Sequence, residues 1–182
     1  MQLATLLRRC QAGEVAAMQD LIQANQSAVF RLALSILDDP ADAEEATQDA
    51  FLAALRALDQ YRGDSTFTTW LYRITVNICR SHLRKRQAKA RLLQALQPLS
   101  RLIGVSHIHP EEIAIQRENN AVLWNAINSL DEKHRLPIIL YYYHDLTVSE
   151  IAGVMGVREG TVLSRLYTAR ERLRAALNNS SG

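Results

Sequence analysis

Two stretches of this chain carry side chains suited to holding a nucleic acid. In the first, Trp70, Arg73, Asn77, Arg80 and Arg84 recur at spacings of three, four, three and four, so on a helix they share one face. An indole and nearby guanidinium groups can stack on unpaired bases and hold phosphates. The Asn77 amide offers a paired donor and acceptor to a base. Taken alone, Trp70 reads more readily as a core residue, and its acid-free surroundings are what favour the binding face.

The second stretch runs from Thr147 to Leu177. Thr147-Val148-Ser149-Glu150 has the form of a capping box, small Ala152 suits a helix crossing, Gly156 permits a sharp turn, and Gly160-Thr161 opens another helix. This is the pattern of a helix-turn-helix. Its exposed positions include Arg158, Thr161, Ser164, Arg165, Thr168 and Arg172, polar and basic residues that can reach base edges and phosphates in a major groove. A plain three-helix bundle is the alternative; cap, turn and basic face together favour DNA.

Other chemistries find less support. Asp42, Glu45 and Asp49 share a face and invite a metal reading, but no His or Cys lies near them in sequence. The acids of that first turn already suit the positive end of a helix dipole, so a protein-binding face is the better reading. His107 and His109 lack a third ligand at suitable spacing. No Gly-rich phosphate loop, serine nucleophile elbow or HExxH motif occurs. The chain is therefore expected to have no catalytic residues, cofactor or metal. Cys10 and Cys79 read as reduced thiols of a cytoplasmic protein. No apolar run is long enough for a transmembrane helix, and Arg8-Arg9 has no apolar segment after it, so no secretory signal is expected.

The net charge of the 182 residues is only +2, but it is unevenly spread. Residues 1–64 hold 10 acidic and 5 basic side chains, residues 65–110 hold 8 basic and no acidic ones, and residues 111–182 hold 9 acidic and 8 basic. A block of 46 residues without one carboxylate points to a polyanion partner.

The elements that must position these groups are helical. Ala17, Leu21, Ala24, Ala28, Leu32 and Ile36 predict a helix from about Gly13 to Leu37. Asp39 caps and Pro40 opens a second, to about Leu58. Tyr61 to Ser65 form a turn, and Asp64 or Ser65 caps a third helix from about Thr66 to Ala90, with Phe67, Leu71, Ile74 and Ile78 facing the core. Ala95 to Pro110, with Pro98 and Gly104, is the expected linker. Ile113 to Leu130 and Asp131 to about Tyr143 precede the helix-turn-helix. The fold class is thus all-α: two small helical domains on a flexible linker, residues 1–94 and 111–182 around 95–110, the second domain a helix-turn-helix.

In these motifs and their order, from roughly Gly13 to Leu177, the chain resembles the extracytoplasmic-function group of bacterial RNA polymerase sigma factors. The stretch Asp39 to Leu52 is similar to the helix that in this family grips the clamp of the β′ subunit, which implies a polymerase contact through Asp42, Glu45, Gln48, Asp49 and Leu52. Tyr61-Arg62-Gly63-Asp64-Ser65 with Phe67, Thr69 to Ile74 and Asn77 resembles the reader of the −10 promoter element, implying DNA contacts from Arg62, Gly63, Asp64 and Ser65 as well as the stripe. Leu130 to Pro137 resembles the start of the second DNA-binding domain, and Gly160 to Leu166 with Ala169-Arg170-Glu171 the −35 recognition helix. The family often has tryptophan where Leu55 stands, proline at Asp131, and Lys or Arg at Leu163 and Thr168.

The resemblance implies a non-enzymatic alternative sigma factor. Its partners are core RNA polymerase, at the β′ clamp and β flap, promoter DNA and an anti-sigma factor, which could hold it at the inner face of the membrane. A helix-turn-helix regulator that never touches polymerase would not need the acidic helix or the stripe near residue 70. A nuclease would need metal-dependent cleavage of DNA. The resemblance also points to Asn77 and the loop before it as readers of the non-template strand. Asn77→Ala should then impair opening of a duplex promoter and blunt discrimination at one −10 base, and a pre-melted bubble should recover much of the opening. Permanganate footprinting of the −10 thymines is the check; a folded variant that opens and discriminates like wild type removes the assignment.

Overall fold

The computed structural model describes residues 2–103 and 121–179. Every regular element among them is helical: α1 (Gln2–Gln11), α2 (Val15–Leu37), α3 (Pro40–Ala57), a 3-10 turn (Leu58–Gln60), α4 (Phe67–Ile103), α5 (Ala121–Ser129), α6 (Glu132–Tyr142), α7 (Val148–Met155) and α8 (Glu159–Asn179). The sequence reading began at Gly13 and missed α1, whose Leu7 and Cys10, one turn apart, are buried.

Helix ends follow local chemistry. Asp38 closes α2 in the left-handed conformation, and the Asp39 carboxylate caps α3 by accepting from the Asp42 N–H at 2.8 Å. Thr66, rather than Asp64 or Ser65, caps α4: it directly precedes the first helical residue, so its hydroxyl can accept from the Thr69 N–H at 3.2 Å. The 37 residues of α4 reach about 55 Å at 1.5 Å per residue. The helix therefore runs through Ala95–Ile103, the first half of the expected linker. Its Leu, Gln, Ala and Arg residues are strong helix formers and outweigh the one breaker, Pro98. Gly104 to Pro110, and the 113–120 part of the helix expected from Ile113, lie outside the described residues.

Two clusters form the interior. One joins α1, α2, α3 and the start of α4 through Leu21, Val29, Phe51, Phe67 and Leu71. The other crosses between the two halves of the chain: Leu32 and Ile36 of α2 and Tyr72, Val76 and Cys79 of α4 lie in one cluster with Ile139, Ile151 and Leu166. Helix α4 is thus buried on two sides. Tyr72, Val76 and Cys79, at spacings of four and three, form a second apolar stripe beside the one expected at Phe67, Leu71, Ile74 and Ile78.

The seam is close. A Cβ built on Gly153 of α7 would lie 2.9 Å from Cγ2 of buried Thr69, so only a residue without a side chain lets α7 approach α4 this nearly. Polar contacts ring the apolar part. Arg80 Nε donates to Glu132 Oε1 at 2.6 Å, Asn128 Nδ2 to Asp38 Oδ2 at 3.2 Å, and Arg135 Nη2 to the Ile36 carbonyl at 3.4 Å.

His144 packs edge-on against Tyr72 across this seam, with ring centroids 5.6 Å apart. Its Nε2 is buried without a hydrogen-bond partner among the described residues. Burial, helped by the nearby Arg31 charge, pushes its pKa down to about 4. An unfolded histidine titrates near 6.5, so between these values the unfolded chain binds the extra proton and acid favours unfolding. Stability should be full above about pH 6.5 and fall towards pH 4, by at most ~3 kcal/mol from this group. Chemical denaturation against pH checks it: His144→Leu should flatten that slope, and an unaltered slope contradicts the assignment.

Candidate nucleic-acid interface

The expected −10 stripe divides into exposed, engaged and half-buried members. Arg73, Asn77 and Arg84 are exposed on α4, and no partner is seen for Arg84 among the described residues. Arg80 is the engaged one, tied to Glu132 of α6. Trp70 departs from the outward stacking role: it is half-buried and packs with Tyr61 and Phe67, centroids 5.3 and 5.6 Å away. Phe67 and Tyr61 supply apolar faces there, so the indole buries more area inward than it could in water.

The loop before α4 is held by the Tyr61 hydroxyl, which donates to the Ser65 carbonyl at 2.9 Å. Arg62, Gly63, Asp64 and Ser65 are all exposed on it. The loop, Arg73 and Asn77 thus form an open polar surface. Beside it, a cleft of about 460 Å³ at the seam is lined by Arg80, Arg84, Arg86, Arg135 and Glu132, among others.

On the acidic helix the five expected residues separate in the same way. Glu45, Gln48 and Leu52, spaced three and four apart, are exposed, with Leu52 at 52%. Asp42 and Asp49 instead meet α4: Arg86 Nη1 donates to Asp42 Oδ2 at 3.2 Å, and His82 Nε2 lies 3.1 Å from Asp49 Oδ2. The sequence reading found no imidazole near these acids; the fold brings His82, whose side chain is 9% exposed, to within 4.8 Å of donor atoms on Glu45 and Asp49. The Asp49–His82 contact joins α3 to α4 across 33 residues.

The helix-turn-helix has the expected capping box: the Thr147 N–H donates to Glu150 Oε2 at 2.9 Å, and the Glu150 N–H to Thr147 Oγ1 at 3.2 Å. Gly156 ends α7 with φ +66°, in the left-handed region. Val162, Leu166 and Ala169 of α8 are buried. Arg158 and Ser164 are exposed, and Thr161, Arg165 and Thr168 half-exposed.

Arg172 is exposed, as expected, but is engaged as well. It turns back towards α6, where its Nη1 donates to Asp131 Oδ2 at 3.2 Å and lies 3.2 Å from His134 Nδ1. Nearly three turns beyond Thr161–Leu163 on the helix, it is closer to the Asp131 carboxylate than to the outward face. Leu163, where the family often has Lys or Arg, is 56% exposed, and Tyr167, which the polar pattern of this surface does not include, is 67% exposed. As an exposed, solvent-screened pair, Arg172–Asp131 should contribute little to stability. Arg172→Ala should leave denaturation almost unchanged and leave base preferences alone; a loss of discrimination at one base pair returns Arg172 to the DNA surface.

Comparison with known proteins matches residues 5–89 to the Sigma-70 region 2 family and residues 121–173 to the Sigma-70, region 4 family. The RNA polymerase sigma-H factor of Pseudomonas aeruginosa is 32% identical over 177 residues, covering 94% of this chain and 92% of the relative. The ECF RNA polymerase sigma-E factor of Escherichia coli K12 is 35% identical over 171 residues, covering 91% and 89%. Among solved structures, CnrH in complex with the cytosolic domain of CnrY aligns with a TM-score of 0.69 at 27% identity over 96% of both chains. The sigma factor RpoE with the anti-sigma factor NepR from Bartonella quintana aligns at 0.65 and 25% identity, covering 90% of this chain and 98% of that one.

Proposed function

The chain belongs to the extracytoplasmic-function group of RNA polymerase sigma factors, and from that premise we propose that the closed arrangement of its two halves is an off state that polymerase opens. As a sigma factor it binds core RNA polymerase and directs it to promoters; it is not an enzyme. In our reading Glu45, Gln48 and Leu52 meet the β′ clamp, while Asp42 and Asp49 hold the helix that presents them. The loop Arg62 to Ser65 with Arg73, Asn77, Arg80 and Arg84 reads and holds the −10 strand, and Trp70 supports that surface from the core side. Arg158, Thr161, Ser164, Arg165 and Thr168 face the −35 element.

The observation that carries the off state is the burial of Thr69 beneath Gly153. Helix α7 rests on α4, and α8 packs on α7. With each packed pair 8–10 Å apart, the two DNA readers sit roughly 20 Å from one another. Promoter elements at −35 and −10 are roughly 25 base pairs apart, about 85 Å at 3.4 Å per base pair. One closed molecule cannot touch both. Opening frees Arg80 from Glu132 for phosphate and uncovers Thr69 of α4.

One of the similar structures holds an anti-sigma factor, and another the cytosolic domain of its partner. These support an anti-sigma factor that keeps this protein from polymerase, and through a membrane-anchored partner would hold it at the inner face of the membrane. No helix among the described residues is itself long and apolar enough to cross a membrane.

A disulfide across the seam tests the off state. The double variant Thr69→Cys, Gly153→Cys, once oxidised, should lose run-off transcription at least tenfold with core polymerase, and reduction should restore it. Thr69→Cys alone should behave as wild type, and Gly153→Cys alone, whose Cβ has no room at the closed seam, should not lose transcription. Quantitatively cross-linked protein that initiates normally, or a pair that never cross-links, contradicts it.

A further inference from the structure

The recognition helix carries an apolar pair that its DNA-contacting polar residues do not account for. Val162, Leu166 and Ala169 bury one side of α8. At roughly 100° per residue, the opposite side is formed by Gly160, Ser164 and Tyr167, with Leu163 on its shoulder. Leu163 and Tyr167, four apart, lie next to one another on the surface. They are 56% and 67% exposed. A lone exposed leucine needs no explanation, but two large apolar side chains side by side on the outward face of a recognition helix do.

The hydroxyls beside them are already turned inward. Ser164 Oγ donates to the Thr161 carbonyl and Thr168 Oγ1 to the Ser164 carbonyl, both at 3.0 Å. What this face offers a groove is therefore an isobutyl group and a phenol ring in the first two to three turns of the helix, where recognition helices meet base edges. The major-groove edges of the bases carry a single apolar group, the C5-methyl of thymine.

We propose that Leu163, with Tyr167 alongside, is a specificity-determining residue that reads a thymine methyl group in the −35 element. This rests on α8 being the −35 reader. A cation on this face would be drawn to phosphate or guanine, whereas leucine gains only by covering a methyl. Covering one methyl is worth about 0.8 kcal/mol, which converts to about a fourfold difference in binding. The Tyr167 ring walls the same methyl from water, and its hydroxyl is not needed for that.

The test uses holoenzyme assembled from core polymerase and the full chain. Duplexes randomised over the −35 element are selected for binding, and each thymine of the preferred sequence is then replaced by uracil, which differs only by the methyl. Wild type should lose about fourfold at one thymine. Leu163→Ala should bind the thymine and uracil duplexes alike, and Tyr167→Phe should keep the discrimination. Uracil that is neutral everywhere, while other base changes weaken binding, overturns this inference and leaves α8 as the −35 reader. If no −35 base change alters binding, both fall. Leu163→Ala that keeps full thymine-over-uracil discrimination but loses affinity for core polymerase assigns the pair to a protein contact and likewise overturns it.

Discussion

Helix α4 has to satisfy three demands at once, and the arrangement of the molecule follows from them. Its Phe67–Leu71 side completes the core made with α1, α2 and α3. Its Tyr72–Val76–Cys79 side completes a second core with α6, α7 and α8. Between them, as far as Leu83, only a strip with Thr68, Arg73 and Asn77 is exposed, and from Arg84 to Arg91 the helix is exposed all round. The helix that contacts the −10 strand in our reading is therefore the same helix that holds the second DNA-binding unit, and it cannot serve both fully.

The strength of closure lies in apolar packing rather than in charge. Arg80 and Glu132 are close but partly exposed, 31% and 46% at the side chain, so their pair contributes at most about 1 kcal/mol. Tyr72, Val76, Ile151 and Leu166 are almost wholly buried, and each side chain returned to water would cost roughly 1.5–3 kcal/mol. Opening thus needs a partner whose own binding offsets that loss. A nanomolar contact is worth about 12 kcal/mol, enough to do so. Half-buried His144 works in the opposite direction, because its Nε2, left without a hydrogen bond among the described residues, lowers the cost of parting the seam.

Much of the fold was legible in the sequence, because capping is local chemistry. Asp39-Pro40 and Thr147-Val148-Ser149-Glu150 state where helices begin, and the structure has α3 and α7 starting there. Less legible was anything decided by a partner far along the chain. His82 reaches Asp49 from 33 residues away, Glu132 takes Arg80 across 52, and Asp131 takes Arg172 across 41. The stripe at Trp70 also mixed two roles, since periodicity assigns a face but not which of two neighbouring cores claims its edge. Tyr167 is missed for a different reason: a search for donors and cations does not register an apolar contact.

The distance between the two DNA-reading helices decides the matter most directly. Cys10 and Cys79 are buried, and burial raises both thiol pKa values, that of Cys79 to about 12, so neither is readily labelled. Spin labels can therefore be directed to Thr68→Cys on α4 and Glu171→Cys on α8, both exposed positions. Double electron–electron resonance of the free protein should give a single short distance, below about 30 Å, set by two helix-packing layers and the label arms. On core polymerase with promoter DNA it should shift to several times that value. A free protein that already shows the long or a broad distribution, or a bound one that keeps the short distance, would contradict the closed off state.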